Sequence, residues 1–173
     1  MAYTVSREEL LVGGNDQIFR ATVHDSLGFA GRLQEARNGL GEAIGLSGPA
    51  YSILIAIDHL SRHMQAGVTA VSSHLHLSGA FVTIEVNKLA KSGLVEKKSD
   101  PEDGRRVILK VTKRGTALLS SLTGLQQEVN DAIFGGLSRD EFQQLSTTMR
   151  KLVGGVEEAL ALLQLRSQQR QQA

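Results

Sequence analysis

The stretch from Leu75 to Gly115 constrains the fold most, because a helix in it is followed directly by a charged β-hairpin. Apolar residues recur on one side of the helix at Val82, Val86 and Leu89, so that side can pack on a core while polar residues occupy another. The hairpin, residues 94–111, has two alternating strands around a turn rich in charge. This order of elements predicts a winged helix-turn-helix, a mainly α fold with a small β-wing.

Two segments in this stretch carry a recognisable pattern: LAKSGLVEKK, from Leu89 to Lys98, and DPEDGRRVILKVTKRG, from Asp100 to Gly115. The second has an Asp, an Arg two residues later, a strand ending in Thr and a basic residue, and a Gly that opens the next helix. Asp103 and Arg105 form the pair. These segments resemble the multiple-antibiotic-resistance regulator (MarR) family of bacterial transcription factors, and the resemblance extends over residues 27–163.

The resemblance implies an intertwined homodimer, held by its N- and C-terminal helices, that binds a pseudo-palindromic operator in double-stranded DNA. It implies a repressor that responds to a small molecule, with no cofactor, no enzymatic activity and no membrane partner. It also places Arg105 in the minor groove, where negative potential is concentrated, with Asp103 orienting the loop.

Several residues of the recognition helix and the wing have side chains suited to DNA. The start of the helix, residues 78–80, offers free backbone amides to a phosphate. Thr83 and Asn87 are candidates for base edges, and Lys88 is a candidate for a phosphate contact. The candidate DNA contacts are Ser78, Gly79, Ala80, Thr83, Asn87, Lys88, Asp103, Arg105 and Arg106.

The same helix departs from the family pattern at three positions. Phe81, Ile84 and Glu85 stand where the family more often has a small polar residue, a basic residue and a leucine. The base-reading face is therefore poor in arginine. Phe81 and Ile84 could either contact thymine methyl groups or fill a local apolar pocket.

Charge is concentrated around the predicted wing. The 173-residue chain has a net charge of only +1, but residues 88–114 contain nine basic and four acidic residues. The basic surface thus lies where the fold would bind DNA. The absence of cysteine excludes disulfides, thiolate metal sites and thiol-based sensing of oxidants. We expect a cytoplasmic protein, because we find neither a signal peptide nor an apolar run of about 18 residues.

The helical pattern divides the chain into five regions. They are a flexible arm (1–14), an N-terminal dimerisation helix (15–46), the winged helix-turn-helix lobe (47–112), C-terminal dimerisation helices (113–164) and a disordered tail (165–173). Asp16 is expected to cap the first helix, and Ser47 the second, which runs to about Gln65. One long helix is expected after the wing, from Lys113 to Phe134.

The last helix carries the clearest start. Ser138 and Glu141 form a capping box, and Leu137 is expected to pack on Phe142 as a hydrophobic staple. Apolar residues then alternate at intervals of three and four, which predicts a partner helix or, alternatively, packing within the same subunit. This heptad seam consists of Phe142, Leu145, Met149, Leu152, Val156, Ala159 and Leu163.

The predicted effector is a small aromatic carboxylate or its acyl-CoA thioester, because arginine, histidine and tyrosine can pair a carboxylate beside a buried ring. The candidate residues are Arg20, His24, Arg32, Tyr51 and His59. The segment from Gly45 to Ile57 resembles family members tied to the degradation of aromatic acids.

The histidines leave other functions open. His59 and His63 lie four residues apart and His74 and His76 follow, so a zinc site is conceivable, in a metal-responsive regulator or a metal-dependent hydrolase. Plain structural roles for these histidines are the simpler interpretation. A constitutive DNA-binding protein without any effector is a further alternative.

Overall fold

The computed structural model describes residues 2–101, 103 and 106–171 of the chain. The chain forms two compact units, Met1–Gln126 and Gln127–Ala173. Its regular elements are α1 (Gln17–Glu42), α2 (Gly48–Ser61), α3 (Val68–Leu75), α4 (Gly79–Lys91), β1 (Val95–Ser99), β2 (Val107–Val111), α5 (Lys113–Ser121), α6 (Thr123–Phe134) and α7 (Arg139–Gln171). The predicted mainly α fold with a β-wing is confirmed.

The segment before α1 is held against the start of that helix, which corrects the prediction of a free arm. Asp16 Oδ2 accepts hydrogen bonds from the Thr4 backbone N–H and hydroxyl, both at 2.8 Å, and from Arg20 Nε at 2.9 Å. These bonds, the backbone one first, hold the pKa of Asp16 below its ordinary value. Asp16 lies at the N-cap position of α1 as predicted, but its side chain makes no capping hydrogen bond, because its carboxylate is used by Thr4 and Arg20.

α2 packs against α1 at a glycine. A Cβ on Gly41 would lie 3.1 Å from the Tyr51 Cβ and 3.1 Å from the Leu46 carbonyl oxygen, so the two helices approach closely there. Ser47 caps α2 as predicted, with its hydroxyl accepting from the Ala50 N–H. The helix ends at Ser61, earlier than the predicted end near Gln65.

The core of the first unit lies between α2, α3, α4 and the wing. It is built from apolar side chains that are almost wholly buried: Ala50, Ile53, Leu54, Ala56, Ile57, Val71, Val82, Val86, Leu89, Leu94, Val95 and Leu109. Burial of such side chains is the main force that holds α4 in place. The Leu109 N–H also donates to the Ala66 carbonyl at 2.7 Å, which ties β2 to the start of α3.

The wing is an antiparallel pair in which Val95 opposes Val111 and Ser99 opposes Val107. Thr112 joins it to the next helix, because its hydroxyl donates to the Gly93 carbonyl at 2.7 Å and accepts from the Gly115 N–H at 3.1 Å. A Cβ on Gly115 would lie only 2.4 Å from the Leu94 carbonyl oxygen. Glycine is therefore required where α5 leaves the wing.

The long helix predicted after the wing is broken, which corrects that expectation. α5 ends at Ser121 and α6 begins at Thr123, with the buried Leu122 between them. The Leu122 N–H bonds to the Leu119 carbonyl at 3.2 Å, one residue closer than in an α-helix. Serine, threonine and glycine around this point are weak helix formers, so burial of Leu122 decides the local geometry.

α7 begins at the predicted capping box. The Ser138 N–H donates to Glu141 Oε2 at 2.8 Å, and the Glu141 N–H donates to Ser138 Oγ at 3.3 Å. The predicted Leu137–Phe142 staple stays a prediction, whereas Phe142 meets Phe134 edge to face with ring centroids 5.8 Å apart.

α7 also continues to Gln171, so the prediction of a disordered tail from residue 165 was wrong for the residues described. Glutamine, arginine and leucine favour helix even where apolar periodicity is lost. Along the described part of the chain, no helix combines the length and apolarity needed to span a bilayer.

Candidate nucleic-acid interface

One side of α4 is fixed by the core, and this decides which side is available to a ligand. Val82, Val86 and Leu89 are buried, and so is Glu85. With about 3.6 residues per turn, the residues opposite this buried side are Ala80, Ile84, Asn87 and Lys91. We call them the outward stripe.

The start of α4 has the geometry expected of a phosphate-binding terminus. Ser78 Oγ accepts from the Phe81 N–H at 3.2 Å. The amides of Gly79 and Ala80 precede the first residue whose N–H can bond within the helix, so they remain available to an anion. Thr83 Oγ1 donates to the Gly79 carbonyl at 2.8 Å, so the hydroxyl proton of this predicted base contact is used within the helix.

Lys88, predicted to contact a phosphate, is engaged by its own helix. Its Nζ lies 2.6 Å from Glu85 Oε1, and the Glu85 side chain is only 7% exposed. A buried carboxylate needs a partner, so Lys88 neutralises Glu85 before it can serve DNA. Lys91, one turn further along the outward stripe, has no ion pair among the residues described. Lys91 was not among the residues predicted from the sequence to contact DNA. It lies seven residues after Ile84, a spacing that places both residues on the same side of a helix.

Asn87 is oriented by the wing. Lys97 Nζ, on β1, donates to Asn87 Oδ1 at 2.8 Å. With its oxygen used in this way, Asn87 keeps its Nδ2 group as the donor that an acceptor on a base edge would need. The contact also places the positive charge of Lys97 beside the recognition helix.

Three residues of the predicted site lie in the wing turn, and the structure describes two of them, Asp103 and Arg106. Arg106 Nε lies 3.5 Å from Asp103 Oδ2, and the Arg106 N–H donates to the Asp103 carbonyl at 2.8 Å. Asp103 thus contacts Arg106 through both its carboxylate and its backbone carbonyl. Arg105 lies outside the described residues.

The predicted effector residues on α1 are spread along the helix. Arg20 is paired with Asp16, Arg32 is paired with Glu35 at 2.7 Å, and His24 is exposed. Arg20 and Arg32 are 12 positions apart, or about 18 Å along a helix axis. One small pocket in a single chain therefore cannot use both.

Tyr51, the predicted effector residue on α2, has an arginine that sequence reasoning missed. Tyr51 is fully buried, and its hydroxyl has no hydrogen-bond partner among the described residues. The Arg37 guanidinium carbon lies 5.4 Å from the centre of its ring, and Arg37 Nε donates to Ser52 Oγ at 3.4 Å. Burial raises the pKa of Tyr51, and the Arg37 charge opposes this rise.

The histidines gather at one place without forming a metal site in the described residues. The His59 ring is stacked on His74 with centroids 5.7 Å apart and meets His63 edge-on at 5.4 Å. His59 is exposed, whereas Tyr51, on the same helix, is fully buried. Within residues 2–101, 103 and 106–171, we find no group of three or more His, Asp or Glu side chains placed to hold a metal ion.

Comparison with known proteins supports this interpretation of the lobe. The sequence model described as "MarR family" matches residues 44–106. An uncharacterised HTH-type transcriptional regulator of Bacillus subtilis, YkoM, is 31% identical over 81 residues, which are 47% of this chain. The match spans 53% of that relative's length. The HTH-type transcriptional repressor IacR of Pseudomonas putida is 23% identical over 127 residues, covering 73% of this chain and 74% of IacR.

Solved structures share the fold. A MarR/EmrR family transcriptional regulator from Acinetobacter sp. ADP1 superposes with a TM-score of 0.69 at 21% identity, covering 82% of this chain and 99% of its own. The PcaV transcriptional regulator of Streptomyces coelicolor, solved with its natural ligand, gives a TM-score of 0.58 at 25% identity over 73% of this chain and 90% of PcaV.

Proposed function

We propose that the chain, whose residues 44–106 match the MarR family model, is a homodimeric, ligand-responsive DNA-binding regulator that represses transcription. The observation that carries the proposal is the outward stripe of α4, which lies beside a basic wing and is left uncovered by its own core. A helix with one face packed and the other open, flanked by lysines, suits the major groove of DNA.

The electrostatics of the lobe support binding to a phosphate backbone. Ser78 leaves the first amides of α4 available, and Lys91 extends the outward stripe with an unpaired positive charge among the residues described. Lys97 adds positive charge from the wing. Affinity for duplex DNA should therefore fall steeply with salt, because phosphate neutralisation releases counterions.

A dimer is part of the proposal, since one lobe can meet only one half-site. The heptad seam of α7 supports it: Phe142, Met149, Leu152, Val156 and Leu163 are between 43% and 65% exposed in the single chain. Apolar side chains exposed at this spacing are typical of a helix that packs on a partner. Two lobes held about 34 Å apart would bind successive turns of a pseudo-palindromic operator.

The effector is proposed to be a small aromatic carboxylate, with its acyl-CoA thioester as the alternative. Arg37 supports this class, because a guanidinium can pair a carboxylate, and the buried Tyr51 ring holds this guanidinium by a cation–π contact. Arg20, His24, Arg32 and His59 stay as proposed contacts that would need the second subunit to converge. The ligand would act by preferring a dimer whose lobes are wrongly spaced for DNA, because equal affinity for both states shifts nothing.

A DNA-release assay tests the proposal. The dimer is bound to a duplex selected from random sequences, and benzoate-like acids, hydroxycinnamates and their thioesters are added, with zinc and a chelator in parallel. We expect release by at least one aromatic acid or thioester. Arg37→Gln should weaken that release without changing DNA affinity. Asp25→Asn is the control, because Asp25 is exposed on the same helix and is not among the proposed effector contacts.

Other outcomes are equally distinct. Release by zinc alone would transfer the function to a metal-responsive regulator that uses the histidines, and turnover with bound metal would indicate a hydrolase. Binding that no compound alters would indicate a constitutive DNA-binding protein. A monomer without sequence preference would contradict the proposed function altogether.

A further inference from the structure

The centre of the outward stripe is apolar. Ile84 is 54% exposed, and Ala80, one turn before it, is also exposed. Ile84 is not among the residues that pack on the core, so the sequence alternative of a local apolar pocket does not describe it. More than half of the Ile84 surface is left open by the described part of its own chain.

Two polar neighbours of Ile84 on α4 already have partners within the helix. Thr83 donates its hydroxyl proton to the Gly79 carbonyl, and Lys88 is held by the buried Glu85. Between Thr83 and Lys88, the exposed apolar side chain is that of Ile84. The middle of the outward stripe therefore offers methyl groups to a base edge, rather than hydrogen-bonding groups.

The surroundings of Ile84 specify what covers it. Asn87 and Lys91 follow on the outward stripe, and Lys97 lies beside Asn87 at 2.8 Å. A protein partner with an apolar surface would have to bury these charges, whereas the major groove supplies phosphates for the lysines and an apolar group between them. The only apolar group on a base edge in the major groove is the methyl group of thymine.

We propose that Ile84, assisted by Ala80, is a specificity-determining residue that selects thymine by van der Waals contact with its methyl group. This inference rests on the proposed function and names the chemistry of its readout. Base preference at this position comes from shape and burial, and Asn87 Nδ2 supplies the adjacent hydrogen bond.

Uracil provides the test, because it differs from thymine only by the methyl group. A consensus duplex is first selected from random sequences with the unaltered dimer. Each thymine in one half-site is then replaced by uracil in turn, and the Kd is measured. We expect at least one position where uracil weakens binding about fourfold, equivalent to about 0.8 kcal/mol for a buried methyl-sized group. Replacement in both half-sites should weaken it about fifteenfold.

Variants assign the effect to one side chain. Ile84→Ala should bind the thymine and uracil duplexes equally, with an unchanged circular dichroism spectrum because Ile84 is largely exposed. Asn87→Ala is the matched control on the same stripe and should keep the uracil sensitivity while losing affinity for both duplexes.

The outcomes separate this inference from the function on which it rests. A consensus without thymine, a consensus insensitive to uracil, or full uracil sensitivity in Ile84→Ala would overturn the role of Ile84 and leave the DNA-binding function standing. Failure to select any consensus would overturn the proposed function, and the inference with it.

Discussion

α4 and α7 differ in what covers their apolar side chains. The 13-residue α4 buries Val82, Val86 and Leu89 in the core of its own chain, whereas the 33-residue α7 has no buried residue in its described part. Intrachain packing therefore fixes the position of α4. In the proposed dimer, the exposed seam of α7 instead would depend on a second copy for its stability. The two helices should therefore respond differently to mutation and to protein concentration.

The largest effect is expected from a charge placed in the α7 seam. Leu152→Glu should prevent dimerisation, because a carboxylate would be buried without a partner. DNA affinity should then fall by about a hundredfold or more, since two half-sites no longer bind together. Sedimentation and titration with duplex DNA measure both effects.

Gln144→Glu is the charge-matched control, because Gln144 lies on α7 outside the heptad seam. It should remain a dimer with nearly unchanged affinity. A dimeric Leu152→Glu protein would show that the seam is not the interface.

Truncation of the α4 core should act on stability instead. Val86→Ala removes buried methyl groups and should lower the free energy of unfolding by about 2 kcal/mol. In denaturant titrations that start from the dimer, we expect the difference in unfolding free energy between Val86→Ala and the parent to be the same at every protein concentration. A loss that depends on concentration would mean that α4 and α7 do not differ as described.

A third change tests DNA contact separately from the core packing of α4 and from the proposed dimer packing of α7. Arg105→Ala should weaken operator binding by about 1 to 3 kcal/mol while dimerisation and unfolding stay unchanged. Arg106→Ala is the matched neighbour, and its effect should be smaller because Arg106 is already paired with Asp103. Equal affinity of Arg105→Ala and the parent would show that Arg105 does not contact DNA.

The smallest effect concerns acid and the segment before α1. The pKa of Asp16 is held below its ordinary value of 3.8 by the Thr4 hydrogen bonds, so their stabilisation is present above pH 3.8 and is lost as the pH falls through the lowered pKa. The Thr4 amide chemical shift should titrate with a midpoint below 3.8. Asp16→Asn should remove this titration, and a midpoint at or above 3.8 would contradict the contact.

Elements encoded by neighbouring residues could be predicted from the sequence. The wing, the start of α4 at Ser78 and the capping box at Ser138 each depend on residues within a few positions of one another. Local hydrogen bonds of this kind have recognisable spacing. The confirmed fold follows from these local patterns.

Contacts between distant residues could not be predicted in the same way. Thr4 takes the Asp16 carboxylate from 12 residues away, and Arg37 reaches Tyr51 across the turn between two helices. The break at Leu122 coincides with the burial of its side chain, which the pattern of a single helix does not reveal. Lys88 was assigned to a phosphate because Glu85 could not be recognised as buried from its charge alone.

The junction at Thr112 has a mechanical consequence. Thr112 clamps the Gly93 carbonyl, and Gly115 sits against the Leu94 carbonyl with no room for a side chain. The wing and the first turn of α5 therefore form one stiff joint with the end of α4. We therefore expect a displacement of the first turn of α5 to move the base of the wing with it, and to change the position of the wing tip relative to DNA.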